Sequence, residues 1–285
     1  MSWLLRQKPW FRQMLPAVWL LPLSALLLLF LLAPLYWIVH SSVMFEDGIR
    51  FSRFSEILQA PFYQKAFSNS LYLSFWSAVA GLVIAATGSA SLRRVDGRLR
   101  NAVVAFTNMT SNMAGVPLAF AFIVVMGTNG AVTLLLRQSF GMDGFNLYSM
   151  NGLLLIYIYF QIPLGILMLY PAFDALRDEW QEASALLGAA KWRYWLHIGI
   201  PVLLPALAGT FILLLANALG AYASAYALTS GNYNLLTIRI ASLVAGDLFP
   251  EPEMAAALSV LLMLLLCLVS AVNHWLLRRG YHAAS

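Results

Sequence analysis

Charge is what this sequence has least of. Asp, Glu, Lys and Arg make up 10% of its 285 residues, and only Lys8, Lys65 and Lys191 are lysines. A soluble domain carries charge on about a quarter of its residues. With 61% hydrophobic residues and a mean hydropathy of +0.76, the chain reads as an integral membrane protein. Cysteine is almost missing as well. Cys267 stands alone in an apolar run, which excludes a disulfide framework and leaves packing as its role. No histidine is followed by glutamate, so there is no His-Glu-x-x-His zinc pair, and no metal site is expected. No lysine follows a glycine, so a phosphate-cradling Gly-Lys-Ser/Thr loop is excluded. Thr87-Gly88-Ser89-Ala90 lacks the glycine expected after an intramembrane serine nucleophile. Val244-Ala245-Gly246-Asp247 has valine where a Gly-x-Gly-Asp aspartyl protease motif needs glycine. Basic residues fall in short clusters rather than on one face, which speaks against nucleic acid as a partner.

What is present are apolar stretches long enough to cross a bilayer, about 17–25 residues each. They fall near 16–40, 68–92, 102–127, 150–173, 202–228 and 254–276. The first is longer than a cleaved signal segment and lacks a small-residue cleavage site, so it is read as a retained helix. With the N-terminus inside, Arg6, Lys8, Arg12, Arg93, Arg94, Arg98, Arg100, Arg177, Lys191, Arg193, Arg278 and Arg279 face the cytoplasm, against Arg50, Arg53, Lys65, Arg137 and Arg239 outside. This distribution follows the positive-inside rule with both termini cytoplasmic. The outer connections, 40–67, 128–149 with Gly141 and Gly144, and 229–253 with Asp247, would face a partner outside the membrane.

No Asp, Glu, Lys or Arg lies well inside any span, where each would cost about 2.5–3.5 kcal/mol to insert. A carrier driven by protons or sodium would ordinarily need one. Polar side chains do occur there. Asn108, Ser111, Asn112, Gly115 and Ala119 share a face of the third span, Asn217, Gly220, Ala221 and Ser224 recur on the fifth, and Tyr157, Gln161 and Gly165 lie on the fourth. Close helix packing and the lining of a solute pathway both account for these faces. As pathway candidates we take Asn108, Ser111, Asn112, Gln161, Asn217 and Ser224. Pro117 and Pro163 would break or kink their helices.

The one long charged interruption of the apolar second half is 174–205. Asp174 can cap a helix on which Leu176, Trp180, Ala183 and Leu187 form an apolar stripe, and Gly188 suits its left-handed end. Asp178, Glu179 and Glu182 crowd the polar side, which points to a basic partner. Lys191 and Arg193 then alternate with Trp192, Tyr194 and Trp195, the mixture found where membrane meets water. Pro201 and Pro205 fit the opening turns of the next helix.

The spacing within this stretch is specific: Glu182-Ala183-Ser184, three residues, Gly188, nine residues, Ile198-Gly199-Ile200-Pro201. It resembles the EAA loop of permease subunits in bacterial ATP-binding-cassette (ABC) importers, with Ser184 in place of the second alanine and Ile200 in place of leucine. From about 68 to 276 the chain is similar to the type I permeases of maltose, molybdate and methionine transporters. Asn69-Ser70-Leu71 and Ala255-Ala256-Ala257-Leu258-Ser259 resemble the spermidine/putrescine, phosphonate and ferric-iron group.

The resemblance implies an all-α integral membrane protein of six transmembrane helices with the type I ABC importer permease fold. It would form one domain over 1–285, with an N-terminal helix near 16–40 and a cytoplasmic coupling loop near 174–200, in the bacterial inner membrane. Glu182 would pair with a basic group of an ATPase groove, Ala183 would pack there, Gly188 would turn the loop, and Ser184, Ile198 and Pro201 complete the motif. The implied partners are two ABC ATPase subunits, a homologous sister permease, a periplasmic or lipid-tethered solute-binding protein, and membrane lipid. ATP and magnesium would be held by the ATPase, leaving this chain without cofactor or catalytic residue. The solute would be small and polar or charged, a polyamine, a phosphonate or similar. An intramembrane enzyme or an ATP-independent scaffold is the alternative, and neither requires the loop spacing.

Overall fold

A computed structural model describes residues 9–45, 48–95, 97–140, 145–245 and 250–282. Arg6, Lys8, Gly141, Gly144, Gly246 and Asp247, named above, lie outside them. The described residues begin with α1 (Pro9–Val43), an antiparallel pair of two-residue strands, β1 (Met44–Phe45) and β2 (Gly48–Ile49), and a short α2 (Ser52–Gln59). They continue with α3 (Pro61–Leu92), α4 (Gly97–Ser111), α5 (Val116–Met126), α6 (Ala131–Phe140) and α7 (Met150–Asp174). The loop helices α8 (Asp178–Leu186) and α9 (Lys191–Tyr194) lead through a π turn, Trp195–Gly199, into α10 (Ile200–Gly220). The chain ends with α11 (Ala223–Thr229), α12 (Leu236–Ala245) and α13 (Pro252–His282).

Among the described residues six stretches are long and apolar enough to cross a membrane: Pro22–Val43, Pro61–Leu92, Val116–Ser139, Met150–Asp174, Lys191–Gly220 and Pro252–Val272. Four match the expected spans closely. The third and fifth differ, and for physical reasons. The expected helix over 102–127 is broken between Ser111 and Val116, where Gly115 takes φ +98° and Pro117 sits in the first turn of α5. Neither geometry belongs inside a helix. The polar face expected there therefore belongs to the end of α4 and to the break. The fifth stretch begins earlier, at Lys191, and breaks at Ala221, whose backbone is extended. Pro163, by contrast, lies within an unbroken α7.

The bundle is centred on α7, where Leu153, Ile156, Tyr157, Phe160 and Gln161 are all buried. α3 crosses it on a stripe of small residues, Ser70, Ser74, Ser77, Ala78, Gly81, Ala85 and Ser89. Between lipid-facing helices there is no hydrophobic drive, so close backbone approach supplies the attraction. The approach is tight: a Cβ on Gly81 would stand 2.7 Å from Cβ of Gln161, and one on Gly165 would stand 2.7 Å from Cβ of Ala85. α10 packs on both helices, α13 covers α10 and α12, and α1 lies against α13 with Leu26, Leu27, Phe30 and Leu31 exposed. At one end Ser70 accepts from the Leu236 amide, Asn69 donates to the Asn234 carbonyl and Asn234 bonds Arg239, which also covers the Phe62 ring. Asn69-Ser70 is thus the seat on which α12 starts.

Candidate functional site

The charged stretch forms a projecting helix. α7 runs on through Asp174, so Asp174 ends that helix instead of capping the next, and Arg177 occupies the cap position of α8. Asp174 lies 3.8 Å from Arg100. Nothing on α8 is buried, and Leu186 and Leu187 are 90% and 88% exposed. Gly188 takes φ +76°, the Ala189 amide donates to Ser184, and the Gly188 amide donates to Ala185. This pair of bonds is the Schellman ending, which needs a residue free to adopt the left-handed region.

Glu182 and Ala183 face solvent, and among the described residues Glu182 makes no ion pair. Asp178 differs, being held by Arg93 from α3. Of the expected apolar stripe, Leu176 precedes α8 and is buried in the bundle, while the rest does not close onto it. Trp180, Ala183, Ser184 and Leu187 instead form one wall of an open cleft of about 370 Å³ whose other wall is Ile198 and Val202. Two segments of the spaced motif thus meet across one groove. Behind it, the Trp195 ring fills the space beside Gly199, where a Cβ would come within 2.5 Å of it. Pro201 occupies the first turn of α10, and Pro205 lies one turn further in. Trp192 is exposed, with the Arg193 guanidinium 5.5 Å from its ring centre.

The pathway candidates separate into two kinds. Asn108 and Asn217 are exposed, their side chains turned out of this chain's own core. Gln161, on the face of α7 turned to α3, is fully buried, donating to Ser77 at 3.4 Å while its Oε1 has no partner among the described residues. Ser224 is also buried, and it accepts from the Gly115 amide at 2.9 Å and donates to the Gly115 carbonyl at 3.2 Å. Ser111 and Asn112 both donate to the Asn108 carbonyl, satisfying the frayed end of α4. Tyr157 donates to the Ala221 carbonyl at 2.7 Å. The two helix breaks therefore meet, and each supplies polar backbone that the other elements satisfy.

Residues 77–280 match the family described as the binding-protein-dependent transport system inner membrane component. The chain belongs to this family. The ferric transport system permease protein FbpB of Actinobacillus pleuropneumoniae is 25% identical over 271 residues, 92% of this chain and 39% of that protein. The thiamine transport system permease protein ThiP of Escherichia coli (strain K12) is 28% identical over 204 residues, 67% of this chain and 36% of that protein. This inner membrane component thus spans about two-fifths of the length of these two relatives. Among solved structures, a bacterial ABC transporter that imports the acidic polysaccharide alginate has the same fold, with a TM-score of 0.75, 18% identity, and coverage of 94% of this chain and 96% of that one.

Two features of this inner membrane component escape a reading by spacing. Tyr157 stands out in the sequence only as a polar residue on α7, and its partner is 64 positions away. Arg93 reads as one more cytoplasmic positive charge, yet it reaches 85 positions along the chain to Asp178. Both pairings depend on the α3–α7–α10 crossing. No local pattern announces either.

Proposed function

We propose that this chain is the membrane-spanning permease subunit of an ATP-driven importer, and that α8 is the helix through which a separate ATPase acts on it. The observation that carries the reading is α8 itself: a projecting helix with no buried residue and a glycine ending, displaying a Glu182 that makes no ion pair among the described residues, beside an apolar cleft. An exposed apolar surface with an acidic group at its edge suits a partner groove lined by apolar side chains and one basic residue. The partners we assign are two ATPase copies, which would hold ATP and magnesium, a second permease, and a solute-binding protein outside. The chain itself contributes no hydrolytic residue. The solute is hydrophilic and small, and because FbpB is named for ferric transport, ferric iron comes first in the screen, before polyamines and phosphonates. Asn108 and Asn217, exposed on this subunit, are the side chains we place along a pathway shared with the second permease.

The test is a mild-detergent purification of the tagged chain from its native host, wild type beside Glu182→Arg, with co-purifying proteins identified by mass spectrometry. The expected result is an ATPase and a second permease with wild type, and at least a tenfold loss of ATPase in the variant at equal chain recovery. A wild-type chain that comes down alone in several detergents would sink the reading.

A further inference from the structure

We propose that Arg93 is the positioning residue that ties α8 to the membrane core, and that this tie carries movement between α8 and α3; the proposal rests on the importer reading above. The joint between α7 and α8 covers only residues 175–177. Arg93 follows the last residue of α3, and only 16% of its side chain is exposed. Its guanidinium donates to the Leu176 carbonyl inside the joint and to the carboxylate of Asp178, the first residue of α8. One guanidinium nitrogen, Nη2, therefore holds both the joint and the helix that follows it.

Other contacts seat the same joint. Leu176 is buried with Ala85 of α3, Leu169 and Phe173 of α7 and Leu203 of α10. Arg100, near the start of α4, stands 3.8 Å from Asp174 at the end of α7. Arg93 and Arg100, on either side of the α3–α4 connection, thus meet the chain on both sides of residues 175–177. A displacement of α8 reaches α3 through the Arg93 side chain as well as through the backbone of the joint, and α3 in turn is interlocked with α7 at Gly81 and Gly165. A small cavity of about 150 Å³, lined by Arg93, Arg94, Asp178, Gln181 and Trp195 among others, lies beside the Arg93 guanidinium and gives it room to follow α8.

The test uses the assembled complex, purified in lipid nanodiscs by a tag on this chain, as wild type, Arg93→Met and Arg93→Lys. Arg93→Met keeps the apolar stem and removes the donor nitrogen. Hydrogen–deuterium exchange of amides 178–187 is expected to quicken by about three- to tenfold in Arg93→Met, the scale of a partly exposed charge-assisted bond. Amides of α3 and α7 should keep their wild-type rates, and Arg93→Lys should recover part of the difference. Mg-ATP turnover by the same preparation is expected to rise about twofold or more in Arg93→Met, because nucleotide-driven closure then no longer has to turn the core. Unchanged exchange over 178–187, or faster exchange spread equally over α3 and α7, overturns the tie. Faster α8 exchange with unchanged turnover overturns its role in transmission. A wild-type complex without any ATP-hydrolysing subunit overturns the importer reading and the transmission with it, while the exchange result still decides the tie.

Discussion

Gln161 and the glycine opposite it set the tolerance of the bundle at the scale of single atoms. The Gly81 backbone approaches Gln161 so closely that one added methyl would sit 2.7 Å from its Cβ, and both atoms belong to helices that cannot give way alone. Gly81→Ala should therefore destabilise the chain by about 1–3 kcal/mol through overpacking. At roughly 2–4 °C per kcal/mol for a chain approaching this size, the midpoint of thermal unfolding in detergent should drop measurably. Gly209 on α10 supplies the contrast: a Cβ there meets nothing within 4 Å. Gly209→Ala gains about 1 kcal/mol of helix propensity, so its midpoint should hold or rise. Equal falls in the two variants would mean that the close crossing of α3 and α7 is not what limits stability. At this scale the sequence is partly legible, since Gly165 and Gln161 announce a close-packed polar face. Which glycine meets which side chain is set by a crossing between helices some 80 positions apart, and no local spacing encodes it.

The paired helix breaks are the corresponding feature at the scale of elements. Gly115 and Pro117 mark the first break in the sequence, whereas the second, at Ala221 and Tyr222, carries no proline or left-handed glycine of its own. It persists because Tyr157 takes the Ala221 carbonyl and Ser224 takes both polar groups of Gly115. In an apolar surrounding each orphaned backbone group costs about 1–3 kcal/mol, so the two breaks stabilise each other. Tyr157→Phe should lower the unfolding midpoint by removing one such bond, and Ser224→Ala should lower it further by removing two. The double variant should lose less than the sum, because both act on one joint. Midpoints unchanged in both single variants would show that water satisfies these groups and that the joint is open to it. α8 is the opposite case. Its glycine ending and its exposure follow from residues within one local stretch, which is why the spacing from Glu182 to Pro201 reads so clearly, whereas its start at Asp178 instead of Asp174 is set by the run-on of α7. Its anchorage through Arg93 does not, because a charge near a membrane surface serves topology and structure alike.

For the whole molecule, we propose from the distribution of basic residues and the projection of α8 that α8, the end of α3 and the start of α10 lie on the cytoplasmic side, with α2 and α12 outside. The chain is well suited to a direct test because Cys267 is its only cysteine. In a Cys267→Ser background, Leu186→Cys and Phe51→Cys place single thiols at positions that are 90% and 67% exposed. A membrane-impermeant maleimide applied to spheroplasts should label Phe51→Cys at once, and should label Leu186→Cys only after the membrane is opened. Because both side chains stand clear of the rest of the chain, failure to react reports the side of the membrane or a covering partner rather than burial within the fold. The two causes separate on stripping peripheral subunits from opened membranes, since a covered Leu186→Cys then becomes reactive. Labelling of Leu186→Cys in sealed spheroplasts would turn the chain over, set α8 on the side away from ATP, and remove the physical basis for coupling through Glu182.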